Sequence, residues 1–246
     1  MDQTEQAGRG ARDGQAQSAR VRCEWAAPSL MCMDFLRIKE QLEVVARRAT
    51  FGHVDVMDGH FAPNLTLSPD MVRVFRRVTD MPLDAHLMTT DPSRWIEPFA
   101  QAGASIITLH AETIWNNAFR LFDKIEALGC QPGLALCPAT TIGSVEHLLE
   151  RARLLTIMSV DIGYAGSPFI PEMLTKIEEA RDFRERKGLR YVIQVDGGCG
   201  AKTFKPLKAA GANLFVLGTS LFRRGEAERD LDVAFDAVVE EFHERR

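Results

Sequence analysis

The sequence predicts an α/β protein built as a single TIM (β/α)8 barrel. Short apolar runs recur along the 246 residues, and a segment with helical periodicity follows each of them. A chain of this length falls within the range of one such barrel. Because eight alternating strand and helix units close a parallel cylinder, we expect a barrel rather than an open doubly wound sheet.

The strands are predicted from apolar runs that lie between turn residues. They fall near residues 25–31, 52–57, 83–88, 105–109, 132–137, 154–160, 190–195 and 213–217. The helices are predicted from apolar residues at spacings of three and four, as in Leu121, Ile125 and Leu128. No linker-like stretch divides the pattern, so we expect one barrel domain over residues 21–246.

Residues 1–20 differ from the rest of the chain in composition. Gln, Gly, Ala, Arg and Asp dominate this segment, and large apolar side chains are almost absent. Such a segment cannot bury enough surface to offset the entropy of ordering. We therefore expect residues 1–20 to form a disordered N-terminal extension outside the barrel.

Composition and charge exclude several functional classes. The net charge of -4 provides no basic surface for nucleic acid. No run approaches the roughly 20 apolar residues of a membrane span, and the first residues lack the apolar core of a secretory signal. The 5 cysteines include no C-x-x-C pair, so neither a disulfide framework nor a thiolate zinc knuckle is indicated. A cytoplasmic protein without a nucleic-acid or membrane partner is expected.

Histidines and carboxylates recur at matched positions of the predicted strands. His53 and Asp55 lie on the second strand, His86 lies on the third, and Asp196 lies at the end of the seventh. Because the carboxyl ends of barrel strands share one rim, these side chains should meet there. They predict a site for one divalent metal ion, such as zinc, iron, manganese, cobalt or magnesium. The alternative is that each is a buried polar residue satisfied by hydrogen bonds.

Three methionines lie near the same rim. Met57 and Met88 follow the candidate ligands at a spacing of two, and Met158 lies at the end of the sixth strand. Side chains two residues apart on a strand share a face, so these methionines are predicted to form a wall of the site. The alternative is that they fill the barrel core, as methionine often does.

Glycine-rich loops follow the last three strands. They contain Gly163-Tyr164-Ala165-Gly166, Gly197-Gly198 and Gly218-Thr219. Glycine exposes backbone N–H groups, and the loops after strands seven and eight of a barrel recurrently bind phosphate. Each loop taken alone is also compatible with an ordinary turn. Together they predict a phosphorylated substrate.

A metal site opposite a phosphate site describes a small sugar phosphate laid across the barrel mouth. A metal bound to the ketone and the adjacent hydroxyl would acidify the intervening C–H and stabilise an enediolate. If Asp55 and Asp196 lie on opposite faces of that carbon, one can remove a proton and the other can return one. The predicted outcome is inversion of the centre, which makes an epimer.

The motifs that carry a family resemblance are Ala27-Pro28-Ser29-Leu30, His53-Val54-Asp55-Val56-Met57-Asp58-Gly59, Pro63-Asn64-Leu65-Thr66, His86-Leu87-Met88, residues 163–166 and Val195-Asp196-Gly197-Gly198. With these segments the chain resembles the ribulose-phosphate 3-epimerase family of TIM barrels over about residues 25–240. The resemblance implies a metal held by His53, Asp55, His86 and Asp196, with Asp55 and Asp196 as the acid/base pair. It also implies substrate contacts from a larger set, namely Ser29, His86, Gly163, Tyr164, Ala165, Gly166, Asp196, Gly197, Gly198, Gly218 and Thr219.

Within the family, residues 29–34 and 60–69 look more like the D-allulose-6-phosphate 3-epimerase branch. The resemblance therefore implies conversion of D-allulose 6-phosphate to D-fructose 6-phosphate, with D-ribulose 5-phosphate to D-xylulose 5-phosphate as the alternative. In the loop after strand six, Ile162 stands where the family usually has proline, and Ser167 stands where it has glutamine.

Other functions remain open on the same fold. A metal-dependent aldolase would share the ion and the enediolate. A regulatory barrel would bind the phosphometabolite without turnover. A homo-oligomer is compatible with the sequence. A Schiff-base aldolase is disfavoured, because its lysine should end a strand, whereas helical segments are predicted around Lys39, Lys124, Lys176, Lys187, Lys202, Lys205 and Lys208.

Overall fold

Eight parallel strands form the centre of the computed structural model, which describes residues 22–243. They hydrogen-bond in the order β1-β8-β7-β6-β5-β4-β3-β2, and a parallel bridge from Ser29 to His53 joins β1 to β2. The predicted TIM barrel is confirmed. The predicted extension over residues 1–20 lies outside the described residues. The strands are β1 (Ala26–Pro28), β2 (Gly52–Met57), β3 (Leu83–Met88), β4 (Ile106–His110), β5 (Gln131–Leu136), β6 (Leu154–Met158), β7 (Val192–Asp196) and β8 (Leu214–Leu217).

The helices cover the outside of this barrel because each buries one apolar face, as α4 does with Leu121, Phe122 and Ile125. None of the helices within residues 22–243 is long and apolar enough to span a bilayer. Their bounds are α1 (Ile38–Arg48), α2 (Pro69–Arg76), α3 (Ile96–Ala102), α4 (Ala118–Ala127), α5 (Glu146–Leu149), α6 (Met173–Lys187), α7 (Phe204–Ala210), α8 (Thr219–Glu228) and α9 (Leu231–Phe242).

Three local predictions differ from the structure. The first strand stops at Pro28, and Leu30–Cys32 forms a short 3-10 helix whose Leu30 is fully buried, which explains why the apolar run resembles a strand. β4 continues through His110, so this histidine belongs to the strand rather than following it. Lys202 lies in a turn rather than a helix, although it still does not end a strand.

The barrel interior contains a polar layer and an apolar one. The apolar layer is formed by Ala27, Ile106, Leu154, Leu214 and Val216. The polar layer is nearly or fully buried and consists of His53, Asp84, Thr108, Thr156 and Gln194. Its hydrogen bonds run from the Thr108 hydroxyl to Asp84 at 2.6 Å and from the Gln194 amide to Thr156 at 3.1 Å. Hydrogen bonding offsets the cost of burying most of these groups, whereas the Gln194 Oε1 has no hydrogen-bond partner among the described residues.

Gly133→Ala is expected to destabilise the protein by about 1–3 kcal/mol, the usual cost of overpacking a core. Gly133 on β5 lies beside Thr108 on β4, and an added Cβ would come 2.1 Å from the Thr108 Oγ1. Gly143→Ala is the matched control, because an added Cβ there meets nothing within 4 Å. Thermal unfolding measures both variants. Equal melting temperatures would contradict the expected steric conflict.

Candidate active site

Four side chains from three strands meet at the carboxyl end of the barrel. The ligand atoms are His53 Nε2 and Asp55 Oδ1 from β2, His86 Nδ1 from β3 and Asp196 Oδ2 from β7. The His53 Nε2 lies 3.2 Å from His86 Nδ1, 3.3 Å from Asp55 Oδ1 and 3.6 Å from Asp196 Oδ2. The His86 Nδ1 lies 3.7 Å from Asp55 Oδ1 and 3.6 Å from Asp196 Oδ2. The four residues predicted as metal ligands are therefore brought together.

These distances fit a common coordination centre. Four ligand atoms about 2.1 Å from a tetrahedral ion are about 3.4 Å apart, and the five distances above range around that value. The donors are two imidazole nitrogens and two carboxylate oxygens, which suit zinc and neighbouring divalent metals. The arrangement can hold such an ion without moving the side chains far.

The electrostatics of this cluster also favour a cation. The Asp55 and Asp196 side chains are only 5% and 13% exposed, and no lysine or arginine among residues 22–243 forms an ion pair with either. Burial of the His53 and His86 rings opposes their protonation, but the surrounding carboxylates outweigh burial and raise both pKa values. Burial likewise opposes ionisation of Asp55 and Asp196, but the two imidazoles hold both pKa values below the usual range. The same two carboxylates would attract a divalent ion placed between the imidazoles.

Neighbouring polar groups fix which ring nitrogens face the cluster. The Asp84 carboxylate lies 3.0 Å from His53 Nδ1, so it accepts that proton and leaves Nε2 free. On His86, Nε2 lies 2.9 Å from the His110 Nε2, and His110 Nδ1 lies 3.1 Å from Glu112 Oε2. If each ring carries one proton, His86 Nε2–H donates to His110 and His110 Nδ1–H donates to Glu112. His86 Nδ1 then keeps a free lone pair toward the cluster.

Ser29 contacts one of the carboxylates directly. Its hydroxyl donates to Asp55 Oδ2 at 2.5 Å, while Asp55 Oδ1 faces the imidazoles. Ser29 follows β1, and its backbone bridge to His53 sets this position. Both oxygens of Asp55 are therefore oriented before any ligand enters.

A cavity of about 640 Å³, counting its open mouth, lies above the cluster. Ser29, Asp55 and Asp196 reach its floor, whereas His86 is fully buried and does not line it. One wall is apolar and contains all three predicted methionines, Met57, Met88 and Met158. Ile162, which replaces the proline usual in the family, packs against Met57 and Met88 and so belongs to this wall.

Another part of the lining is made by the glycine loops, which form the glycine-lined wall. Every residue predicted there lines the cavity, namely Gly163, Tyr164, Ala165, Gly166, Gly197, Gly198, Gly218 and Thr219. Gly197 has φ +105°, and an added Cβ would lie 2.4 Å from Val160 Cγ2, so no other residue fits without rearrangement. Helix α8 begins at Thr219, so its free N–H groups and its positive dipole end lie at this wall. The wall is suited to an anionic group.

The loop after β6 is anchored to the loop after β2. Asn64 donates its side-chain amide to the Gly163 carbonyl at 2.9 Å, and the Tyr164 hydroxyl donates to the Pro63 carbonyl at 2.8 Å. Ser167, which replaces the family glutamine, donates to the Tyr164 carbonyl at 3.0 Å and so closes a local turn. The loop covers part of the cavity mouth.

Sequence reasoning misses several residues that support this site. Asp84 precedes His86 by two residues on the same strand, so the sequence predicts that its side chain points into the barrel. The sequence does not show that Asp84 contacts His53 on β2. His110 and Glu112 follow the predicted fourth strand, and from the sequence alone they are compatible with contacts to sugar hydroxyls or with a local hydrogen-bonded cap. Ser220 Oγ is buried without a hydrogen-bond partner among the described residues. The cavity is also lined by Met31, Cys32, Val160, Asp161, Ile162, Ser167, Cys199, Val216 and Ser220.

Comparisons with known proteins agree with this geometry. The model of the ribulose-phosphate 3 epimerase family matches residues 25–222. A ribulose-phosphate 3-epimerase of Bacillus subtilis is 38% identical over 205 residues, covering 82% of this chain and 93% of the relative. The cytoplasmic isoform of ribulose-phosphate 3-epimerase from Oryza sativa is 39% identical over 204 residues, covering 81% and 88%.

A solved structure supports the fold alone. The crystal structure of KGPDC from Streptococcus mutans superposes with a TM-score of 0.66 at 14% sequence identity. The match covers 89% of this chain and 97% of that one. Similar barrels at such low identity indicate a shared architecture and do not identify the reaction.

Proposed function

Since this chain belongs to the ribulose-phosphate 3-epimerase family and is an isomerase of the racemase and epimerase class, we propose that it interconverts D-ribulose 5-phosphate and D-xylulose 5-phosphate. The observation that carries the proposal is the pair of buried carboxylates, Asp55 and Asp196, held by two imidazoles beneath a cavity. The glycine-lined wall and the helix α8 N-terminus suit a phosphate. The site thus has one end for proton transfer and one for an anion.

The sequence-based preference for D-allulose 6-phosphate is not supported, and the pentose phosphate fits better. The relatives reported above are named ribulose-phosphate 3-epimerases. The preference depends on residues 29–34 and 60–69. Only Ser29, Met31 and Cys32 of these line the cavity, so the remaining residues carry little information about substrate length.

One divalent metal ion is proposed as the cofactor, held by His53, Asp55, His86 and Asp196. The donor set and the shared centre support it, and the metal's identity is left open among zinc, iron, manganese, cobalt and magnesium. When bound, the ion would place positive charge beside the ketone and hydroxyl oxygens and so stabilise the enediolate that forms on loss of the C3 proton.

The protein's own residues would move the proton. Asp55 comes from β2 and Asp196 from β7, which are separated in the barrel by β1 and β8. Carboxylates that approach from these two directions can reach opposite faces of C3. One removes the C3 proton, and the other delivers a proton from the far side, which inverts the centre. Ser29 would hold Asp55 in place through its hydrogen bond.

The remaining cavity residues would bind and shield the substrate. Backbone N–H groups of residues 163–166, Gly197, Gly198, Gly218 and Thr219 would hold the phosphate. Met57, Met88 and Met158 would keep water from the reacting carbon, which strengthens the electrostatic interactions beneath it. A ketose phosphate is the proposed partner. The cytoplasmic location and a homo-oligomer stay predictions.

The test is a proton NMR assay in deuterated buffer with D-ribulose 5-phosphate and D-allulose 6-phosphate in parallel. We expect epimer formation with deuterium uptake at C3, faster on the pentose phosphate. Fragment products would indicate a metal-dependent aldolase, and binding without exchange would indicate a regulatory barrel. Faster turnover of D-allulose 6-phosphate would overturn the proposed substrate.

A further inference from the structure

A second group of metal-binding side chains lies beside the catalytic cluster. His110 at the end of β4, Glu112 just after it and Cys137 just after β5 place ligand atoms within 4.8 Å of one another. His110 Nδ1 lies 3.1 Å from Glu112 Oε2 and 3.5 Å from Cys137 Sγ. Both distances are close to the separation of about 3.4 Å expected between ligands of a tetrahedral ion. We propose that these three residues form a second zinc-class cation site whose occupation opposes loading of the catalytic cluster.

The surroundings of this second site hold its ligands in place. Glu112 Oε1 accepts hydrogen bonds from the Cys137 backbone at 2.9 Å and from the Thr140 hydroxyl, which leaves Oε2 directed at His110. No lysine or arginine among residues 22–243 forms an ion pair with Glu112. The Lys176 amine is nearby, but it donates to the carbonyls of Cys137 and Pro138 at 3.0 and 2.6 Å. Glu112 and Cys137 are partly exposed, so an ion has a path to the site.

The ligand set differs from that of the catalytic cluster in the chemistry of one ligand. It contains a thiol, and thiolate ligands favour zinc and cobalt over manganese and magnesium. Burial raises the pKa of Cys137 to about 12, so the thiol keeps its proton until an ion arrives. Binding therefore releases the thiol proton to solvent, and the two charges of the ion are balanced by the Cys137 thiolate and the Glu112 carboxylate.

The antagonism follows from the hydrogen bond between His86 and His110. An ion on His110 Nδ1 moves that ring's proton to Nε2, which then donates to His86 Nε2 across 2.9 Å. His86 must in turn carry its proton on Nδ1, the atom that faces Asp55 and Asp196. The number of ring protons is unchanged, but the catalytic cluster loses one lone pair. This step alone rests on the proposed role of His86 as a metal ligand.

Cobalt titration of the metal-free protein tests the site. A thiolate bound to Co²⁺ gives a sulfur-to-metal charge-transfer band in the near ultraviolet, and the catalytic cluster contains no thiolate. We expect the band in the wild-type protein, its loss in Cys137→Ser and its retention in Cys32→Ser, which removes one of the two thiols that line the cavity. Absence of the band, or its survival in Cys137→Ser, would overturn the site.

Saturating Mn²⁺ tests the antagonism, because manganese suits the nitrogen and oxygen ligands of the catalytic cluster. We expect it to weaken cobalt binding at the thiolate site by at least about fivefold, the lower end of ordinary coupling between sites. In Asp196→Asn the same Mn²⁺ should have little effect. Equal cobalt affinity with and without Mn²⁺ in the wild-type protein would overturn the antagonism. The protein could turn over neither ketose phosphate and still show a cobalt band that depends on Cys137. That result would uphold the second site and contradict the proposed function.

Discussion

Asp196→Asn is expected to lower the epimerisation rate by at least about a thousandfold. Asp196 lies at the end of β7 with Oδ2 directed at both imidazoles and its side chain at the cavity floor. Loss of a general acid or base alone costs about a hundredfold to ten-thousandfold, and the amide also removes a charged metal ligand. The side chain keeps its size, so the barrel should keep its thermal stability within a few degrees.

Two measurements separate the proton-transfer role of Asp196 from metal binding. Bound metal is determined for each variant, and single-turnover rates are compared at saturating metal. Asp55→Asn is expected to behave alike, since the two carboxylates exchange the roles of acid and base in the two reaction directions. Asp80→Asn is the control, because this exposed carboxylate lies outside the cavity. Robust turnover by both site variants with metal bound would rule out the two-carboxylate mechanism.

The metal-ligand convergence was predictable from sequence because parallel barrel strands carry their functional residues to one rim. The strand spacing of two fixes the shared face of His53 and Asp55, and the closed barrel brings Asp196 of β7 to the same centre. What the sequence lacks is the register between neighbouring strands. The partners of Asp84, His110 and Glu112 depend on that register. Their hydrogen bonds to the site imidazoles are therefore seen only in the structure.

The substrate branch could not be predicted from these motifs for a different reason. Residues 60–69 look informative because the motif is distinctive, yet none of them lines the cavity. Pro63 and Asn64 instead hold the loop after β6 through their contacts with Tyr164 and Gly163. Asp58 anchors the start of the same segment by accepting from the Thr90 backbone at 2.8 Å. A motif that positions a loop says little about the length of the sugar that the loop covers.

Removal of the metal by a chelator is expected to abolish turnover, with a loss of about a thousandfold or more. The ion would supply several kcal/mol of stabilisation to the enediolate charge, and each 1.4 kcal/mol corresponds to a tenfold change in rate, roughly. Dialysis against zinc, manganese or cobalt should restore activity. Wild-type rates in a protein verified as metal-free would contradict the proposed cofactor.

Affinity for the metal should also fall steeply as the pH is lowered. Without an ion, the carboxylates of the cluster raise the pKa values of His53 and His86 above the usual 6.5, so protons compete for the ring nitrogens over a pH range that extends above that of a free imidazole. An ion needs the lone pairs that these protons cover, and the already lowered pKa values of Asp55 and Asp196 keep the carboxylates ionised throughout this range. Protons therefore compete with the ion as the pH falls, whereas hydroxide competes only at much higher pH.

The expected slope is about tenfold in metal affinity per pH unit for each proton displaced, with one or two protons released on binding. Calorimetric titration of the metal-free protein in two buffers of different ionisation enthalpy counts those protons directly. Cys137→Ser is included so that the thiol proton of the second site is subtracted. A pH-independent affinity between about pH 6 and 8, with no proton release, would mean that the imidazoles of His53 and His86 do not bind the ion.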